Sequence, residues 1–146
     1  MQRIVAIKPA AEWNAASAAD AVVLDAQDRH RRRVVFTGAR GAYLLDLPRP
    51  AQLHDGDGLL LEDGSLVRVA GEAEPLVEIA ASGVQQLARL AWHLGNRHTE
   101  LQIVGDRLRI RRDHVLEDML RGLGATLAPV EAAFEPEHSA HERSHG

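Results

Sequence analysis

The sequence predicts an α+β protein in three parts: an N-terminal all-β small domain, a second domain ordered β-α-β-β-α-β, and a disordered C-terminal tail. Three observations carry this. Short aliphatic and β-branched runs recur at roughly 10-residue spacing through the first half. In the second half such runs alternate with two apolar stripes at helical spacing. From Glu135 onward the residues are charged and carry no apolar pattern.

Residues 3–7 open the chain as a short apolar strand. Residues 10–19 are Ala-rich and weakly patterned, a loop or a short helix. Residues 21–24, 33–36 and 42–47 are strand-like, separated by turn signals at Thr37-Gly38 with Arg40-Gly41 and bounded by Pro48-Arg49-Pro50. The turn His54-Asp55-Gly56-Asp57-Gly58 follows. Strands at 59–61 and 66–69 flank Asp63-Gly64, which predicts a type I′ hairpin because both central residues of that turn need φ > 0. The spacing predicts a small antiparallel sandwich or barrel.

Gly71-Glu72-Ala73-Glu74-Pro75 reads as a linker, and residues 76–80 as a strand. Ser82 with Gln85 three positions on forms a capping box. Val84, Leu87, Ala88, Ala91 and Leu94 make one helical stripe, and Gly95 is the expected left-handed C-cap. Strands at 101–104 and 108–110 join at Gly105-Asp106, which fits a type II′ turn. Asp113 caps a second helix with the stripe Val115, Leu116, Met119, Leu120 and Leu123, ended by Gly122 or Gly124. Residues 126–130 form the last strand. The order is the split βαβ, or ferredoxin-like, arrangement. The domains are therefore 1–72, 73–134 and a tail at 135–146.

Composition narrows the chemistry. The 146 residues are 45% hydrophobic and 26% charged, enough for a real core. Cysteine is absent, which excludes disulfides, zinc ribbons, iron–sulfur clusters and thiol nucleophiles. Any metal site must use imidazole, carboxylate or backbone ligands. Lys8 is the single lysine, leaving little room for Schiff-base chemistry. The net charge of −4 argues against nucleic acid, and Phe36, Tyr43 and Phe134 are too scattered for an RNA-stacking face. No apolar run approaches the ~18 residues of a membrane span, and residues 1–8 lack the features of a signal peptide. The expectation is a soluble cytoplasmic protein without a membrane partner.

Eight histidines are present, three of them (His138, His141 and His145) in the last nine residues. His-rich tracts bind metals, and imidazole suits nickel, copper and zinc. The plain alternative is a polar tail. His93 falls opposite Val84 on the helix, and His98 lies past the Gly95 stop; spacing alone makes them a solvated residue and a cap residue. They are five apart, not the i, i+4 pair that grips one metal from a helix face. A single His98 still supplies half a site if two chains meet there. His114 opens the second helix opposite its stripe, beside Arg111 and Arg112. The run Arg29-His30-Arg31-Arg32-Arg33 is either an acidic-partner patch or, more simply, a charged strand end that deters edge pairing. Catalytic signals are weak. Gly56 and Gly58 lack a phosphate-loop context. Asp55 with Asp57, and Glu117 with Asp118, are explained by a turn and a helix surface.

The stretch His93-Leu94-Gly95-Asn96-Arg97-His98, then Leu101-Gln102-Ile103, then Asp113-His114-Val115-Leu116-Glu117-Asp118-Met119-Leu120, closely resembles the urease accessory protein UreE family of nickel metallochaperones. Phe134-Glu135-Pro136-Glu137 before a His-bearing tail fits as well. The first half fits through its strand pattern and the His54-Asp55-Gly56-Asp57 turn. The resemblance implies a β-rich domain for partner or peptide interaction and a ferredoxin-like domain for metal binding and dimerisation. It implies a homodimer in which two copies of His98 share one nickel(II), with His93, His114, His138, His141 and His145 as further metal-site candidates. Zinc and copper are alternative ions in vitro. It also implies docking on the accessory GTPase UreG and the urease apoprotein–accessory complex, with no bond of a substrate broken. Certain relatives carry an extra His two residues before the one matching His114; here that position is Arg112. The rival from another class is a non-catalytic assembly module with incidental metal binding.

Overall fold

A computed structural model describes residues 1–138. The chain forms two compact units, one of residues 1–72 together with His138, the other Ala73–Glu137.

The first unit is a six-stranded sheet in the order β2-β6-β5-β1-β4-β3. Its strands are β1 (Gln2–Lys8), β2 (Asp20–Leu24), β3 (His30–Thr37), β4 (Ala42–Gln52), β5 (Gly58–Leu61) and β6 (Leu66–Gly71). Two short 3-10 turns, Ala10–Glu12 and Ala15–Ser17, fill the Ala-rich stretch after β1. The sheet is mixed, which corrects the expected antiparallel arrangement: β1 runs parallel to β4, and β2 parallel to β6. Run length and spacing reveal a strand but not its direction, and parallel neighbours are joined by the intervening strands acting as crossovers. The core is aliphatic, with Leu45, Leu53, Leu59, Val67 and Val69 fully buried beside Phe36.

The Asp63-Gly64 hairpin closes by a different turn from the type I′ expected. Only Gly64 has positive φ, at 87°. The Gly64 N–H donates to the Leu61 carbonyl at 3.0 Å and the Leu61 N–H to the Ser65 carbonyl at 2.9 Å. This is a three-residue loop in which a type I turn is followed by a left-handed glycine. Asp63 lies outside the left-handed region, and its carboxylate accepts from the Ser65 N–H and hydroxyl at 2.9 and 2.5 Å.

One carboxylate ties the start of β2 to the β3–β4 turn. Asp20 accepts from the Tyr43 hydroxyl at 2.5 Å and from the N–H groups of Ala21, Ala39 and Arg40 at 2.8–3.1 Å. Gly38 permits the approach, since a Cβ there would stand 2.4 Å from an Asp20 oxygen. The Tyr43 hydroxyl, followed by these amides, holds the Asp20 carboxyl down at about 2. The same bond, with burial, pushes the Tyr43 phenol up to about 12.

The second unit is β7 (Ala73–Ala80), α1 (Val84–Asn96), β8 (Gln102–Val104), β9 (Arg107–Arg111), α2 (His114–Gly122) and β10 (Thr126–Ala133). Its antiparallel sheet runs β10-β7-β9-β8, the ferredoxin-like order the sequence predicts. The stretch expected as a linker is largely strand: Ala73, Glu74 and Pro75 pair with Ala133, Ala132 and Glu131. Pro75 is tolerated because β9 begins pairing only at Leu76, so at the proline β7 has a neighbour on one side alone.

Val77, Ile79, Leu108 and Ile110 from the sheet bury against Leu90, Leu94 and Leu120 from the helices. The inward face of α1 is Leu87, Leu90, Ala91 and Leu94, which corrects the expected stripe: Val84 is 85% exposed and Ala88 is exposed. Two apolar stripes share this helix at helical spacing, and only the sheet decides which one turns inward. On α2, Val115 and Leu123 are likewise exposed, while Glu117 is buried.

The Asp20 clamp should show in acid. Its folded pKa lies below the unfolded value of 3.8, so its contribution is complete above about pH 4 and disappears as pH falls toward 2. Tyr43→Phe should lower stability at pH 7, and its deficit against the native chain should shrink between pH 4 and pH 2. Denaturant unfolding across that range checks this; a constant deficit would assign Tyr43 to packing alone.

Candidate metal centre

The centre is built around the end of α1. The helix does not stop at Gly95, the expected cap; it continues to Asn96, with Arg97 at the C-cap and His98 next in a left-handed conformation at φ 56°. The His98 N–H donates to the Gly95 carbonyl and the Thr99 N–H to the Leu94 carbonyl, both at 3.0 Å. These two bonds define a Schellman motif, whose left-handed position is commonly glycine. The end of α2 shows the usual solution: Gly124 at φ 89° donates to the Arg121 carbonyl, and Ala125 to that of Leu120. His98 is the sole non-glycine with positive φ among the described residues. A Cβ in that region costs roughly 1–2 kcal/mol. An exposed imidazole therefore occupies a position where glycine would be cheaper.

The chain beyond His98 is pinned. Glu100 accepts from Arg111 Nη1 at 2.6 Å, and Arg111 also binds Glu74 at 3.0 Å and lies 4.8 Å over the Phe134 ring. The Leu101 carbonyl accepts from the Glu137 N–H at 2.7 Å, and Gln102 Oε1 accepts from the Glu135 N–H at 3.1 Å. Residues 135–137 of the expected tail are thus hydrogen-bonded against the 101–102 segment, and Pro136 is buried.

The other candidates scatter. His93 lies in the last turn of α1, half-buried and edge-on to Trp92 at 5.0 Å. It lines a groove of about 570 Å³ with Gln85, Arg89, Leu90 and Leu123. It is therefore not on the open polar face that the expected stripe implied. His114 is exposed at the first position of α2, after Asp113, which caps the helix through Oδ1 to the Leu116 N–H at 3.1 Å. His138 packs in the first unit, its ring stacked on His30 at 4.0 Å. His141 and His145 lie outside the described residues. Among the described residues, no group of three or more His, Asp or Glu is arranged to hold a metal ion.

Three arginines of the basic run near β3 are engaged locally. Arg29 is fully buried, donating from Nε to the Leu24 carbonyl at 3.2 Å; Arg31 pairs with Asp28 at 3.1 Å; Arg32 donates to the Leu47 carbonyl at 3.3 Å. The pairing register shifts between Arg31 and Arg33, so charge and irregularity together blunt this edge.

Sequence reasoning missed Glu117, taken there as helix surface. Its buried carboxylate accepts two bonds from Arg112 at 3.1 and 3.0 Å and one from the Asp113 N–H at 2.9 Å. The Arg112 guanidinium holds its pKa below the usual carboxylate range against the opposing effect of burial. The available signal was an Arg directly before the cap and a Glu four residues after it. Arg112 is committed to this clamp.

Both units have matches among known proteins. Residues 2–71 match the model for the UreE urease accessory protein, N-terminal domain, and residues 74–146 that for its C-terminal domain. The chain is 57% identical over 135 residues to a urease accessory protein UreE of Bradyrhizobium sp. strain BTAi1, covering 91% of this chain and 65% of the relative. It is 53% identical over 142 residues to that of Rhodopseudomonas palustris strain BisB18, covering 97% and 67%. With the protein of that name from Beijerinckia indica it shares 44% over 145 residues, covering 99% and 83%. The chain belongs to the urease accessory protein UreE family. It spans about two thirds of the length of the first two of these relatives.

The left-handed cap makes a separable prediction. His98→Gly should raise the stability of the metal-free protein by about 1 kcal/mol, whereas His98→Ala, which keeps the Cβ, should leave it nearly unchanged. Denaturant midpoints of the three proteins test this; a glycine variant less stable than the alanine variant would rule out strain at this position.

Proposed function

We propose that the chain is a cytoplasmic nickel(II) metallochaperone for urease maturation, a homodimer that holds its cargo between two copies of His98. The observation that carries this reading is the exposed imidazole held in a left-handed cap. A carrier needs a ligand that faces solvent and a partner. A closed four-ligand site would hold the ion as structure, while few ligands leave it exchangeable.

The outer side of α1 supports pairing of two chains. Val84, Ala88 and Trp92 recur every four residues on it, Trp92 being 64% exposed, with Val115 of α2 exposed at 63%. An open apolar face of this kind marks an interaction surface. His93 and His114, at the ends of the same two helices, serve capture and transfer. The tail imidazoles His138, His141 and His145 extend the capture radius. Imidazole also accepts zinc and binds copper more tightly than nickel, so selectivity in the cell follows from geometry and metal availability and not from affinity alone. The recipients are the GTPase UreG and the urease apoprotein with its accessory proteins. The cargo is exchanged and no substrate bond is broken.

His98→Ala should abolish the tightest nickel site, of one ion per two chains, with the fold unchanged. Trp92→Glu should shift the mass in solution from dimer to monomer and remove the same site. Calorimetry combined with mass measurement reads both; retention of the tight site in either variant would refute the shared centre.

Protons compete with nickel for imidazole nitrogens, which in free histidine titrate near pH ~6.5. With two imidazoles in the site, affinity should drop steeply below pH ~6, by more than one proton per metal. Carboxylate ligation would persist to roughly pH 4–5. Affinity measured from pH 8 to 5.5 in weakly chelating buffer decides the point; a flat profile would favour an assembly module with incidental metal binding.

A further inference from the structure

We propose that Arg89, His93 and Arg97 of α1 form a docking lip for an acidic amphipathic helix of a partner protein, seated in the groove between α1 and the end of α2. This rests on the reading that the chain passes its cargo to another protein, and adds the chemistry of that protein's contact segment.

The charge pattern of the second unit singles out this row. Arg107, Arg109, Arg111, Arg112 and Arg121 each hold a carboxylate at 2.7–3.4 Å. The guanidinium groups of Arg89 and Arg97, both exposed, have no such partner among the described residues. Residues 81–99 contain no Asp or Glu, although the chain holds 21. α1 therefore presents cations with no local anion to satisfy them.

Spacing puts these cations in line. Arg89, His93 and Arg97 recur every fourth residue, each step rising about 6 Å. The row Val84, Ala88 and Trp92 is turned about 100° from them around the helix, so two chains pairing through that row leave the cationic row to one side. A second copy is a poor occupant of the groove, because it brings the same cations and like charges oppose docking.

The row borders the groove of about 570 Å³, which has Leu90 in its lining and Leu123, 38% exposed, as an apolar wall. Gln86 Nε2 donates to the Leu123 carbonyl at 2.9 Å and ties α1 to the end of α2 there. An apolar groove with a charged lip suits helix-in-groove recognition, in which apolar side chains anchor and charges select the partner. A helix with Glu at every fourth position repeats its carboxylates at the same interval of about 6 Å. A phosphate backbone fits worse: it has no apolar side chain for Leu123, and the net charge of −4 opposes a polyanion. The row ends at Arg97, directly before His98, so a docked helix is held beside the candidate metal ligand.

The probe is a helical peptide of about 15 residues with Glu at every fourth position and Leu on the adjoining row; a control peptide carries Lys for each Glu. The full chain is titrated with each while the ring resonances of His93 are followed. The acidic peptide should shift them saturably, and the Lys peptide should not. Arg89→Glu combined with Arg97→Glu should weaken the acidic peptide by at least about 10-fold and admit the Lys peptide, a gain that an unfolded variant would not show. Arg89→Gln alone should weaken the acidic peptide by about 3-fold. A His93 ring that does not respond, an equal response to both peptides, or a double variant that binds the acidic peptide as before would overturn the surface. A stronger response to poly(U) RNA or to phosphatidylserine vesicles would also overturn it and give the row to a polyanion. The carrier reading is judged separately, by the tight nickel site. Peptide docking without that site would keep this inference and sink the carrier; the site without docking would do the reverse.

Discussion

The second unit depends on β7 having a hydrogen-bonded neighbour along both of its edges. Its eight residues pair one to one with Thr126–Ala133, and five of them pair with β9. A strand in that position must give one face to a core, and Val77 and Ile79 do so against Leu90, Leu94 and Leu120. The helices are then bound to one side of the sheet. Each helix end, with whatever side chain it carries, is fixed relative to the strands.

The two helices end by the same hydrogen-bonding pattern and differ in one residue. At the end of α2 the left-handed position is Gly124; at the end of α1 it is His98. Stability favours glycine at such a place. Arg111, Glu100, Leu101, Gln102 and the 135–137 segment form a hydrogen-bonded belt just beyond the cap. The chain leaving His98 is restrained by these bonds.

Charge in this protein works mainly as local clamping. Asp20 gathers three backbone amides and a phenol. Glu117 gathers Arg112 and the amide of its own helix cap. Glu78 holds Arg107 and Arg109 across neighbouring strands at 2.7 and 3.0 Å. Each of these carboxyls is held below its ordinary pKa, first of all by the side chain bonded to it.

The sequence by itself determined the order of elements in the second unit, the Asp113 cap and the absence of any cysteine ligand. All follow from local rules: period, capping chemistry and composition act within a few residues. Tertiary structure alone decided the strand directions in the first unit, since parallel and antiparallel strands carry the same alternating pattern. It decided which of two apolar stripes on α1 faced inward, because Val84 and Leu90 are equally apolar and only the sheet beneath distinguishes them. It moved the left-handed residue from Gly95 to His98, since where α1 stops depends on how its last turn, through buried Leu94, meets the sheet. It also brought His30 beside His138, 108 positions apart in the chain, a contact that no spacing rule reaches because it is made through space.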